Sequence, residues 1–164
     1  MDARGQISLE LVLVVGLIFV IVMAIASVVG EDNELNQAMG AARSGAIEAA
    51  NVDSFAIYPE ETFNNYTSNK KRLLGTTSVK IIRINYTDEG SNNTYNKTKI
   101  QLRIYASAPT VTNSTDRTAL GDRINFYARQ SICESFGTSN LTNALYNPAY
   151  SNRYVFTTAD VTWV

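Results

Sequence analysis

Arg4-Gly5-Gln6-Ile7-Ser8-Leu9-Glu10 opens the stretch that decides the fold, and the nineteen residues after it, Leu11–Val29, carry no charge. At the rise of an α-helix such a segment is roughly 28 Å long, which is close to the thickness of the hydrocarbon core of a bilayer. A carboxylate at the start of such a segment is costly to place in lipid, and ionisable groups kept there are functional candidates by default. We therefore predict a long N-terminal hydrophobic helix over about residues 6–53 and single out Glu10.

Two ordinary explanations of this segment stay open. A cleaved secretory signal is one, because Ala24-Ile25-Ala26 before Ser27 has the small residues of a cleavage site. Against it, the apolar run exceeds the usual length of about 7–15 residues, and the positive region is a lone Arg4. A simple membrane anchor fits the length and the composition, but it leaves the polar residues of the opening motif unexplained.

The opening motif resembles the class III signal peptide of archaeal type IV pilin-like precursors. In that family a membrane-embedded prepilin peptidase cuts between a small residue and a glutamine, ahead of a Q-x-S-x-E segment. Every position is matched here: Arg4 is the basic residue, Gly5 the small one, and Gln6, Ser8 and Glu10 follow. The resemblance covers about 30 of the 164 residues. It marks Arg4, Gly5, Gln6 and Ser8 as processing residues and residues 1–5 as a cleaved leader.

The same resemblance implies partners and a location. The precursor would lie in the cytoplasmic membrane and meet the prepilin peptidase and a pilus assembly machinery. After cleavage, identical subunits would form a helical homopolymer, an extracellular filament on the cell surface whose core is the N-terminal helix.

Chemistry gives Gln6 and Glu10 a role in assembly. Cleavage after Gly5 exposes an α-amino group whose reference pKa is about 8, so it is mostly protonated at neutral pH. Glu10 lies four residues further along the same helical face. In a stack of such helices, the carboxylate of one chain can pair with the amino group of a neighbour, and an unpaired charge in a low dielectric is strongly unfavourable. We expect this pair to set the axial register of the filament.

The helix is predicted to continue beyond Gly30, the expected place for a bend or local melting during assembly. Small residues dominate its second half, with Ala41 and Gly45, and Ala42 and Ala46, spaced four apart, a spacing that allows helices to approach closely. A face at three- and four-residue steps is expected to pack partly on the head and partly on neighbouring helices. Its members are Leu35, Met39, Ala42, Ala46 and Ala49.

The remainder, residues 54–164, is predicted to be a small extracellular head domain, strand-rich and antiparallel, so the fold class is α+β. Alternating apolar residues predict strands over residues 78–87 and 97–108 around a turn over 88–96. The alternation changes phase at Ile81-Ile82, which indicates a bulge or burial on both faces.

Two further elements of the head are read from apolar spacing. Apolar residues at four-residue steps predict a helix over residues 119–136, with a strand left as the alternative. A last strand is expected over residues 153–163, with four inner-face candidates: Tyr154, Phe156, Val161 and Trp163.

Composition argues against several functional classes. The net charge of −1 gives no electrostatic case for nucleic acid. The chain has no His, which removes the commonest general base and metal ligand. We therefore expect no enzyme activity, no metal site and no cofactor. Cys133 is the single cysteine, so an internal disulfide is impossible; a buried structural thiol is the main expectation and a link between chains the minor one.

Asn-x-Ser/Thr sequons are enriched, since chance alone would give about three in the whole chain, and all six lie in the head. They begin at Asn65, Asn85, Asn92, Asn96, Asn113 and Asn140. We expect glycosylation of at least one of them. The resulting hypothesis is a pilin-like subunit of a filament for adhesion. The alternatives are an archaellin-type subunit of a motility filament and a monomeric membrane-anchored extracellular binding protein.

Overall fold

The computed structural model describes residues 3–51, 79–138 and 147–164, with side chains from Leu9 onward apart from that of residue 31. The fold is α+β, as predicted: a long N-terminal helix and a five-stranded sheet. Helix α1 spans Ala3–Asn51 and runs without a break through Gly30. It begins at Ala3 rather than at residue 6, and its predicted end at residue 53 lies outside the described residues. The chain divides into two compact units, Met1–Asn36 and Gln37–Val164.

The sheet of the second unit begins with a long hairpin. Strands β1 (Lys80–Asn92) and β2 (Lys97–Ser107) pair antiparallel. The predicted alternation in β2 is confirmed, because its apolar side chains are buried and those between them are not. The buried members are Ile100, Leu102, Ile104 and Ala106.

Strand β1 contains two bulges. Ile81 lies opposite Ala106 and Arg83 opposite Tyr105, so Ile82 is the extra residue and the predicted bulge is confirmed. The predicted turn over residues 88–96 is wrong in its first part, because β1 continues to Asn92. Gly90 adopts φ +78° and its N–H donates to Asp88 Oδ1 at 2.7 Å, and the pairing register shifts at this point. A glycine in this conformation lets the strand absorb one residue and continue.

Helix α2 spans Ser114–Ser135 and follows β2. The predicted helix is confirmed, but its start at residue 119 is wrong by a full turn. The true start is set by Asn113, whose side-chain Oδ1 accepts a hydrogen bond from Thr115 N at 2.9 Å. Such a cap satisfies a backbone donor that the first turn leaves without a helical partner. The predicted inward face of α2 is fully buried at Leu120, Ile124, Ala128 and Ile132.

The head is strand-rich and dominated by antiparallel pairing, but its sheet is mixed rather than antiparallel throughout. Strand β4 (Tyr154–Thr158) and strand β5 (Thr162–Trp163) both run parallel to β2, while the short strand β3 (Ala149–Tyr150) pairs antiparallel with β4. The hydrogen-bonded path is β1-β2-β4-β3, with β5 beside the far part of β2. Parallel pairing follows from the connection, because a helix between two strands returns the chain to the end of the sheet from which it started.

The single last strand predicted over residues 153–163 is also wrong, since it is divided into β4 and β5. The break turns Val161 inward, where it is buried with Phe156 as predicted, while Tyr154 and Trp163 are only half-buried. Pairing with β2 continues around the break through Ala159 N, which donates to Leu102 O at 2.8 Å.

Within the second unit, the end of α1 contacts α2. Gln37 Nε2 donates to the carbonyl of Ser135 at 2.9 Å, and Gly45 faces Tyr127 and Ser131. A β-carbon on Gly45 would lie 2.8 Å from Ser131 Cβ and closer still to the Tyr127 carbonyl oxygen. The two helices therefore approach one another at a position where only glycine fits without movement.

Candidate functional site

The most unusual surface of the protein is the apolar part of α1. All the described side chains from Leu9 to Val29 are exposed, among them Phe19 and Met23 at 64% and 74%. The helix is long and apolar enough to cross a membrane, with a mean hydropathy of 3.2 in its most apolar window. A helix that is apolar on every face is stable only when apolar material surrounds it. This segment is the candidate functional site.

Glu10 lies at the beginning of this segment, and its side chain is exposed. The backbone of the processing motif, including Arg4, Gly5, Gln6 and Ser8, is helical, while the side chains of residues 3–8 are not described. Residues 6 and 10 are therefore about one turn apart, roughly 6 Å along the axis. Side chains in a helix tilt toward its N-terminus, so Glu10 leans toward the turn that contains Gln6.

The small-residue part of α1 is used inside the second unit. Ala38, Ala42, Gly45, Ala46 and Ala49 are buried. Leu35 and Met39, which were predicted to share this face, are half-buried. The expected packing on the head therefore exists, with the stripe displaced toward smaller side chains.

The sequons of the hairpin differ in accessibility. Asn85 on β1 and Asn96 in the turn are exposed, and Asn96 adopts φ +50°, a conformation that asparagine tolerates better than most residues. Asn92 is half-buried, and its Oδ1 accepts a hydrogen bond from Thr94 N at 3.0 Å. Asn85 and Asn96 are therefore the more accessible acceptors of this group.

Asn113 is exposed and uses only its side-chain oxygen to cap α2. Its Nδ2, the atom that carries an N-linked glycan, has no role in the cap, so capping and glycosylation are compatible. Asn65 and Asn140 lie outside the described residues.

The tip of the β1–β2 hairpin contacts both β3 and the two residues that follow it. Lys97 Nζ donates to the carbonyls of Ser151 and Asn152 at 2.8 and 2.5 Å, and the rings of Tyr95 and Tyr150 meet edge to face at 5.7 Å. Burial raises the pKa of the Tyr150 hydroxyl, and Tyr95 adds to this through its charge and a hydrogen bond. The tip is thus ordered by tertiary contacts that the alternation pattern does not reveal.

Neither a metal site nor a reactive thiol emerges from the described residues. No group of three His, Cys, Asp or Glu side chains in the described ranges could hold a metal ion. Cys133 is fully buried on α2, so the expected burial of this thiol is confirmed.

Comparison of the chain with protein-family models, with curated proteins and with solved structures found no match. The functional argument therefore rests on the residues themselves. Sequence reasoning also missed a groove between the start of α2 and the last strand, because its lining comes from positions some forty residues apart; Asp122 and Asp160 are examples.

Proposed function

We propose that the protein is a pilin-like filament subunit whose N-terminal helix polymerises after removal of residues 1–5. The observation that carries the proposal is the combination of an all-round apolar helical segment with one carboxylate, Glu10, at its beginning. A bundle of identical helices would surround this segment with apolar side chains as lipid does, so packing and register would decide the assembled geometry.

Electrostatics supports a pairing role for Glu10. Cleavage after Gly5 would place a positive α-amino group at the N-terminus of the helix, where the helix dipole is also positive. The two positive charges repel one another, and the carboxylate of Glu10 from a neighbouring copy would offset this repulsion. Removing one partner of a buried ion pair costs about 3–5 kcal/mol, because the other charge stays buried alone.

The rest of the chain supports an orientation and a purpose for the filament. The precursor would lie in the cytoplasmic membrane, with its head and the sequons of the head outside the cell. The 22-residue helix α2 in the head favours a pilin for adhesion over an archaellin, whose head is all β. The competing hypothesis is a monomeric membrane-anchored binding protein. In it, the same helix would act as the anchor and Glu10 would have no role.

The first experiment determines the N-terminal residue of the native protein by intact and peptide mass spectrometry. A start at Gln6, or at its cyclised form, supports prepilin-type processing. A start at Ser27 indicates a secreted protein, and an intact Met1 favours the membrane-anchored protein.

The second experiment compares Glu10→Gln with Asp32→Asn, an exposed carboxylate of the same helix beyond the apolar segment. Sheared filaments are quantified by electron microscopy and immunoblot, with the precursor in the membrane as the loading reference. We expect Glu10→Gln to reduce filaments at least tenfold and Asp32→Asn to leave them unchanged. Normal filaments from Glu10→Gln would refute the pairing.

A further inference from the structure

A groove of about 300 Å³ lies between the first turns of α2 and the segment that leads into β5. Its volume is at the lower end of the range for small-ligand sites. Gly121 forms part of the wall, and a β-carbon there would contact Val161 and the Trp163 ring at 3.4 and 3.8 Å. Gly121 and the Trp163 indole therefore lie side by side in the groove wall.

The polar lining mixes both charges. Arg117, Asp122 and Asp160 contribute one guanidinium and two carboxylates. Arg117 is held in place by its Nε, which donates to Val111 O at 2.7 Å, and a guanidinium has further N–H donors for a ligand. A strongly anionic ligand would meet the two carboxylates, and a cation would meet the guanidinium. The mixture suits a neutral ligand with many hydroxyl groups.

Asn125 adds a buried amide to the lining. It is 7% exposed, and its Nδ2 donates to Ala159 O at 3.0 Å. Its Oδ1 is buried and accepts no hydrogen bond from the described residues. The amide therefore links α2 to the segment before β5 beside the groove.

We propose that this groove binds one neutral sugar ring. The C–H face of a pyranose would lie on the indole of Trp163, since polarised C–H groups are attracted to the negative face of an aromatic ring. Its hydroxyls would donate to Asp122 and Asp160 and accept from Arg117. Binding stands whether or not the chain forms filaments; only its use in adhesion rests on the proposed function, where many copies would multiply a weak single affinity.

The sugar has two possible sources. One is a glycan on a foreign surface. The other is the chain's own glycan on Asn113, since the next residue, Ser114, already lines the groove.

The test uses the full chain from a host without N-glycosylation, in a detergent without a sugar headgroup and with a chelator present. Saturation-transfer NMR is recorded with methyl pyranosides of glucose, galactose, mannose and N-acetylglucosamine, and glycerol serves as a polyol without a ring face. We expect at least one pyranoside to bind, with affinity reduced tenfold or more by Trp163→Ala and several-fold by Asp160→Asn. Tyr86→Ala and Asp116→Asn, an aromatic residue and a carboxylate outside the groove, should leave binding unchanged.

Trp163→Phe keeps a flat ring and is expected to retain part of the affinity. If Trp163→Ala does not fold, the loss of affinity in Asp160→Asn shows whether the groove is the binding site. Natively glycosylated protein separates the two sources. If it binds the free sugar only after Asn113→Asp, the chain's own glycan is the occupant; if it binds without that change, the sugar comes from outside. The proposal would be overturned if no pyranoside bound, or if the variants at residues 160 and 163 bound it as tightly as the unchanged protein. Neither result would affect the conclusions drawn from the N-terminal residue and from Glu10→Gln.

Discussion

Replacing Gly45 with alanine tests the contact between the end of α1 and α2. The new β-carbon would lie 2.8 Å from both Ser131 Cβ and the Tyr127 carbonyl carbon, and nearer still to the Tyr127 carbonyl oxygen. Two of these atoms belong to the backbone of α2, which cannot rotate away as a flexible side chain can. The substitution can be accommodated only if the helices move apart.

The magnitude follows from two opposing terms. Overpacking of a close contact costs typically about 1–3 kcal/mol, and a backbone obstacle places this case at the upper end. Alanine gains about 1 kcal/mol over glycine in helix propensity. We therefore expect Gly45→Ala to lower the free energy of unfolding by about 2 kcal/mol. For a unit of this size that corresponds to a fall in melting temperature of about 8 °C.

Gly40→Ala is the matched control, because it lies on the same helix, is exposed and has no atom within 4 Å of its new β-carbon. It should stabilise by up to about 1 kcal/mol. Trp163, the single tryptophan, reports unfolding of the second unit by fluorescence in detergent-solubilised protein, while the apolar part of α1 stays in the micelle. A Gly45→Ala protein as stable as the Gly40→Ala protein would show that α1 and α2 do not meet in this way.

Two further outcomes follow from local contacts. Asn113→Ala should destabilise the second unit by about 1 kcal/mol in thermal unfolding, because Thr115 N loses its acceptor, whereas Asn113→Asp removes the sequon but keeps the cap and should cost little. Alkaline unfolding should depend on Tyr150, whose pKa is raised in the folded state. Its contribution to stability is complete below pH 10 and is lost as the pH rises from there through the raised pKa, since the unfolded tyrosine ionises first. Tyr150→Phe should flatten this part of a fluorescence-monitored pH titration, and the exposed Tyr86→Phe should not.

The sequence predicted those elements whose cause is local. Alternation in β2 has period two because one face of the strand is buried, so Ile100 and Leu102 could be placed without knowledge of any partner strand. The phase change at Ile81-Ile82 likewise marks a bulge, since an inserted residue shifts the inward face by one.

The predictions that failed depended on signals of another kind. The start of α2 is polar and has no apolar period, so only the cap at Asn113 marks it, and the same residue also begins a sequon. Residues 88–93 resemble a turn, but Gly90 at positive φ makes a bulge instead. The parallel pairing of β4 with β2 could have been inferred from the order strand, helix, strand, whereas the break before β5 depends on contacts across the sheet.

The two parts of α1 require different partners. Bulky side chains on every face of residues 9–29 cannot be covered by one flat contact, whereas lipid or a ring of helices would cover all of them. The small residues of the second half, which were expected to allow a close approach of helices, are different, because Ala42, Gly45 and Ala46 are already buried within the second unit. In an assembled filament, neighbours would therefore meet the opposite face of this part, where Gly40, Ser44 and the 41%-exposed Ile47 remain accessible. Register would then have to be set mainly at the apolar end, which is where Glu10 lies.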